Sequence, residues 1–215
     1  MKQLVLLLSI VIISSAFVYH SAEGKTEKFV VIIDAGHGGK DPGNETDSLS
    51  EAQINLQLAD QILEIKKKKR KNIEFIFTRK GDDFIELQDR IALIDKHNAD
   101  LFISIHCDAY TDESIQGYEI YHPIKGDQIV GSKNYAHLLE EALEDKKNPM
   151  AHKSTKPGNQ FVITRAHCPA VLINFGFLTN PKDLKTVTTE EYQLIFAEAI
   201  VKSIHKYRES IEEPK

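Results

Sequence analysis

Apolar residues follow two rhythms along this chain of 215 residues. Short unbroken runs rich in valine and isoleucine alternate with longer stretches whose apolar positions recur every three or four residues. The first kind reads as a strand buried on both faces, the second as a helix with one buried stripe. Phe29 to Asp34 is the first such run, and it breaks at the glycine-rich turn AGHGGKDPG, residues 35–43. A helix is then expected from Ser50, where Ser50 and Gln53 fit a capping box and Ile54, Leu58, Ile62 and Ile65 recur on one face. The run KKKKRK, residues 66–71, closes that helix. Cations complement the negative end of the helix dipole, so the run reads as a solvated helix end rather than a contact for an anionic polymer.

Further strands are expected at Ile73–Thr78, Leu101–His106, Gly117–Tyr121, Gln160–Thr164 and Ala170–Phe175. Helical patterns cover Glu86 to about His97, Ser132–Glu144 and Glu190 to about Tyr207. The polar segment Lys146–Asn159 reads as a loop on the rim of the fold. Strands separated by helices make βαβ units. The expected fold class is therefore α/β: a single three-layer domain, a mainly parallel sheet with helices on both faces, over residues 29–208. Residues 209–215 read as a polar tail.

Composition narrows the class. Apolar residues at 41% and charged residues at 27% are globular values, and a net charge of -5 argues against nucleic acid as a partner. The opening MKQLVLLLSIVIISSAFVYHSAEG has the pattern of an export signal, residues 1–22, with small-residue cleavage sites after Ala16 or Ala22. Leu4 to Tyr19 falls short of the roughly 20 apolar residues a spanning helix needs, so no stable membrane span is expected after cleavage. Residues 23–28 are a linker, and the mature chain is expected in the periplasm or outside the cell. Two cysteines, Cys107 and Cys168, are too few for a disulfide framework and read as buried free thiols, although one bridge is open to an exported chain.

Three side chains carry candidate chemistry. His37 lies in the glycine turn after the first strand, Glu51 opens the next helix, and His106 ends the strand LFISIH. Loops at the carboxyl ends of parallel strands converge on the ligand site of such folds. Two imidazoles and a carboxylate make a hydrolytic zinc set with a fourth position left for water. Taken singly, each has a plainer reading: a turn histidine on the surface, a glutamate serving a helix dipole. His97, His137 and His205 lie on expected helices and read as surface residues, while His122, His152 and His167 fall near strand ends or in the long polar segment.

Several long stretches resemble the zinc-dependent N-acetylmuramoyl-L-alanine amidases, which cleave bacterial peptidoglycan between the lactyl group and the stem peptide. VVIIDAGHGGKDPG is similar to that family's opening motif, LSEAQINLQLA to its second, and FTRKGDDFIELQDRIALIDKHNADLFISIHCDA to a third. GYEIYH and PAVLINFGFLTNPKD continue the resemblance, which covers residues 29 to about 207 in one register. It implies His37, Glu51 and His106 as ligands of a zinc cofactor and peptidoglycan as the substrate, with any regulatory protein partner unknown.

The chain departs from the family at one telling place. Where the resemblance implies a glutamate that takes the water's proton and passes it to the leaving amine, this chain carries Asn174, inside PAVLINFGF. An amide can hydrogen-bond a water but is no base at neutral pH. Losing general acid–base help removes about 10² to 10⁴ in rate, while the metal's own contribution would survive. Glu119, Asp108 and Glu113 are the carboxylates that could substitute. Two functions follow from these residues: an exported zinc amidase of peptidoglycan, or a catalytically impaired relative that binds the wall or regulates a partner. A peptidase acting within the stem peptide ranks behind both.

Overall fold

A computed structural model describes residues 28–68, 72–144 and 148–212. The expected export signal, most of the linker, and the end of the KKKKRK run lie outside the described residues. The order of elements is β1 (Phe29–Ala35), α1 (Glu51–Lys68), β2 (Ile73–Phe77), α2 (Leu87–His97), β3 (Leu101–Asp108), β4 (Tyr118–Pro123), α3 (Ile129–Leu143), β5 (His152–Gly158), α4 (Phe161–Arg165), β6 (Ala170–Phe177), α5 (Pro181–Val187) and α6 (Glu190–Glu212). The strands form one six-stranded sheet in the order β2-β1-β3-β6-β4-β5. Neighbours among β2, β1, β3 and β6 are parallel, β4 runs antiparallel to β6, and β5 parallel to β4.

Two cores follow from the period-two alternation of strand side chains. Val31, Ile33, Ile103, Ile105, Val171 and Ile173 face α1, α3 and α6. Ile32, Phe102 and Leu172 point the other way, toward α2 and α4. Helices thus cover both faces, as the unbroken apolar runs required. The capping box of α1 is formed in both directions: the Gln53 amide hydrogen bonds Ser50 Oγ at 3.3 Å, and the Ser50 amide donates to Gln53 Oε1 at 2.9 Å. Cys107 belongs to the first core and Cys168 to the second; both are buried and free.

Two expectations are corrected. Gln160–Thr164, read as a strand, holds the short helix α4, in which neighbouring Val162 and Ile163 are both buried and Thr164 Oγ1 donates back to Gln160 O at 3.0 Å. An apolar run this short has no resolvable period. The expected loop Lys146–Asn159 contains β5, an edge strand whose largely exposed surface explains its polar composition. Helix α6 continues past Tyr207 to Glu212, into the expected tail. The unexpected α5 starts where Asn180 Oδ1 accepts from the Lys182 and Asp183 amides, with Pro181 in the first turn.

Candidate active site

His37, Glu51 and His106 converge at the carboxyl ends of β1 and β3, with a possible ligand atom from each lying within 4.8 Å of the others. Glu51 is the hub. Its Oε1 lies 3.2 Å from His37 Nε2 and 2.9 Å from His106 Nδ1, and accepts from the Cys107 amide at 3.2 Å. Its Oε2 accepts from the backbone and side-chain nitrogens of Asn44 at 3.1 and 2.7 Å. Burial pushes this carboxyl up, but hydrogen bonds and charge from His106 and His37 outweigh it and hold the group well below the usual carboxylate range.

Backbone geometry brings these three side chains this close. His37 itself adopts the left-handed conformation (φ 62°), rare for a residue with a β-carbon, and this directs its ring back toward Glu51. Gly36 has no room for a β-carbon, which would sit 2.3 Å from His106 Cε1. His37 Nδ1 lies 2.9 Å from Asp41 Oδ2, an outer carboxylate of the kind that fixes a metal-binding ring. Burial lowers the proton affinity of His37, but Glu51 and Asp41 together leave it raised. Two imidazole nitrogens gathered on one ionised carboxylate call for a cation at their centre, and the donor set is that of an open three-ligand zinc site. The residues therefore fit a metal ion.

Buried arginines hold this arrangement, and no sequence pattern announced them. Arg79 donates to the carbonyls of Ala35, Gly36 and Ala52 at 2.9, 2.9 and 2.7 Å, tying the His37 turn to the start of α1. Arg90 bonds the buried carboxylate of Asp34 and the His37 carbonyl, while Thr78 and Ser104 hydroxyls donate to the same Asp34. Arg79 stood in the quoted block FTRKGDD with no role attached. Asp41 and Asn44, also unassigned, complete the surroundings of the ligands.

Asn174 lies beside His106 in the β3–β6 ladder and opposite Glu119 in the β6–β4 ladder. Its Nδ2 donates to Asp108 Oδ2 at 2.9 Å. The ladder shifts register between His106 and Asp108, an irregularity of the kind that re-aims a side chain beside an active site. Burial and the nearby charge of Glu51 raise the proton affinity of Asp108 despite the Ala109 amide and the Asn174 amide. Glu119 is differently placed. Its carboxylate accepts from Lys153, Ser154, Lys156 and Tyr121 within 2.9 Å, and despite burial these bonds pull it down to about 2. Glu113 is exposed, in the loop after β3.

Among the described residues, the other histidines stay outside this cluster. His122 is buried against Pro123 O, His152 stacks on Tyr118, and the exposed His167 pairs with Asp95. A cavity of about 510 Å³ opens beside His37 and His106, walled by Phe84, Ile85, Leu87, Phe161, Val162 and Leu172. Its size and mostly apolar exposed surface, interrupted by Asp41, Glu86, Arg90 and Gln160, are those of a ligand site.

Residues 31–206 match the model of the N-acetylmuramoyl-L-alanine amidase family. The chain is 34% identical over 187 residues to the Bacillus subtilis protein YqiI, covering 86% of this chain and 85% of that one. The crystal structure of N-acetylmuramoyl-L-alanine amidase from Clostridium difficile 630 superposes with a TM-score of 0.80 at 32% identity, covering 86% of this chain and 99% of the other. The CwlD amidase of Clostridioides difficile, solved in complex with the GerS lipoprotein, gives 0.77 at 29% identity, covering 85% and 100%. The family model spans most of the described residues and the solved amidases share the fold, so the chain belongs to the N-acetylmuramoyl-L-alanine amidase family.

Proposed function

We propose that this protein is an exported zinc hydrolase that cleaves the amide between N-acetylmuramic acid and L-alanine in peptidoglycan, with Asp108 as its proton-transfer carboxylate. The observation that carries the reading is the convergence of His37, Glu51 and His106 in a chain of this family. Zinc bound there would polarise the scissile carbonyl and lower the pKa of its water to about 7. Asp41 orients the His37 ring, Asn44 with the Cys107 amide fixes Glu51, and His106 and His37 keep it ionised. Asn174 cannot take a proton, but its amide holds the Asp108 carboxylate, and Asn174 is itself the Cα partner of His106. Asp108 accepts the proton of the attacking water and returns it to the leaving amine nitrogen. Glu119 is unsuited to this task, since its lone pairs are occupied and its proton affinity is low. Export rests on the leader pattern of residues 1–22, and wall amidases among the relatives support the location.

The test is peptide release from purified peptidoglycan by the zinc-loaded mature protein, beside Asp108→Asn, Asn174→Glu and a His106→Ala control. Turnover by the natural protein, none by the control, and a loss of about 10² to 10⁴ in Asp108→Asn is the expected result. A second reading rests on Asn174 alone: a natively disarmed site that binds the wall or regulates a partner. A slow natural protein that ignores Asp108→Asn and gains about a hundredfold from Asn174→Glu would replace the first reading with the second.

A further inference from the structure

Beyond the ligands, a row of polar side chains crosses the sheet. Cα partners run from His106 to Asn174, from Asn174 to Glu119, and from Glu119 to Ser154, so one row spans β3, β6, β4 and β5. All lie on the sheet face that carries Leu172 and the cavity, because Tyr118, Ile120, Ile105 and Ile173 fill the opposite core. At about 4.8 Å per strand, Glu119 stands roughly 10 Å along the row from His106.

The far end of this row is cationic. Lys153 and Lys156, both from the edge strand, converge on one oxygen of Glu119 at 2.8 and 2.7 Å. Glu119 is fully buried, whereas the lysine side chains are 32% and 38% exposed. Each ammonium has three donors and spends one on Glu119, so both retain donors on the solvent side. Two ammoniums on one carboxylate leave a positive charge over, which faces the Asp108 carboxylate held by Asn174 across the site. Lys156 and Lys153 also stand near the rings of Tyr121 and Phe177, which steady the chains.

The cavity on the other side of His106 has the opposite character. Its exposed wall is mostly apolar, its cation, Arg90, is consumed by Asp34 and by backbone carbonyls, and the charged groups left on it, Asp41 and Glu86, are acidic. A polymer whose two halves differ in the same way, a saccharide joined through an amide to an acidic peptide, has one favourable orientation across such a site. Free carboxylates of the stem peptide begin one residue beyond L-alanine, which at about 3.5 Å per residue puts them roughly 5–10 Å from the scissile amide.

We infer that the Lys153–Glu119–Lys156 cluster is a carboxylate subsite that receives the acidic stem peptide, leaving the Phe84–Phe161 cavity to the saccharide. The inference rests on the amidase reading for its substrate and assigns that substrate a direction across the site. A purely structural cluster would merely neutralise Glu119 and would be indifferent to the charge of a ligand.

The deciding comparison changes the ligand, not the protein. Binding of N-acetylmuramoyl-L-Ala-D-Glu and of the same compound with both free carboxylates of its glutamate converted to carboxamides is measured by calorimetry on the metal-stripped chain. The acid is expected to bind about tenfold tighter at low salt, as for loss of one charge-assisted hydrogen bond, with the gap narrowing at high salt. Lys153→Gln/Lys156→Gln should abolish the preference; if that variant fails to fold, the two-ligand comparison on the natural protein still decides. Equal affinity for acid and carboxamide overturns the subsite. Peptide release by the zinc-loaded protein is scored separately. No cleavage with the preference intact sinks the amidase reading and keeps an anion subsite, whereas cleavage without preference does the reverse.

Discussion

A β-carbon at position 36 would press on the His106 ring, which is already fixed on its other side by Glu51. Gly36→Ala is therefore expected to leave the fold standing, since φ there is ordinary, and to swing the ring out of line. Displacements of this kind weaken metal binding by about 10- to 100-fold. A zinc titration against a competing chelator reads it directly, and an unchanged affinity would mean the ring has room the packing denies. His37, Glu51 and His106 were legible in the sequence because ligand chemistry restricts residue type and parallel sheets restrict position. Asp41, Asn44, Arg79 and Arg90 were not, because they act through bonds to carbonyls or carboxylates far away in sequence. Arg79 reaches Ala52 across 27 residues and Arg90 reaches Asp34 across 56. No local spacing encodes such a bond. Asn174 was legible as a departure, yet its tie to Asp108 came from a register shift no pattern foretold.

Helix α1 delivers Glu51 in its first turn, so its amino-terminal cap sets the position of a proposed ligand as well as the stability of a helix. Ser50→Ala removes one half of the reciprocal box. It is expected to cost about 1 kcal/mol, a fall of roughly 2–4 °C in Tm for a domain of this size. Thermal unfolding of the metal-free protein is the measurement, and no change would show that the Asn44 carbonyl bond to the Glu51 amide suffices as a cap. Elements with a full period were read correctly: Ile54, Leu58, Ile62 and Ile65 are all buried. Failures came where the period is too short or the surroundings override it. Helix α4 spans five residues, and β5 has the composition of a loop because it closes the sheet's edge.

For the molecule as a whole, proton binding and metal binding compete at one place. The proton affinity of His37 is raised in the metal-free fold. Its stabilising contribution is complete below the ordinary histidine value of about 6.5 and is lost as pH rises through the raised value. Glu51 has the opposite sign: its depressed value stabilises above about 4.3 and is lost as pH falls through it. If zinc binds as proposed it has to displace the His37 proton, so the increase in Tm on adding zinc should be larger near pH 8 than near pH 6. An equal increase at both, measured by differential scanning calorimetry, would remove His37 from the ligand set.

The sheet also keeps the two thiols apart. Cys107 belongs to the core under α1, α3 and α6, and Cys168 to the core under α2 and α4. The sheet, paired through β3 and β6, stands between these compartments. The sulfurs can join only in a chain whose sheet has opened, so the native fold is its own protection against internal cross-linking. An intramolecular bridge is thus a record of past unfolding, carried by the covalent structure after the fold that forbade it has been lost.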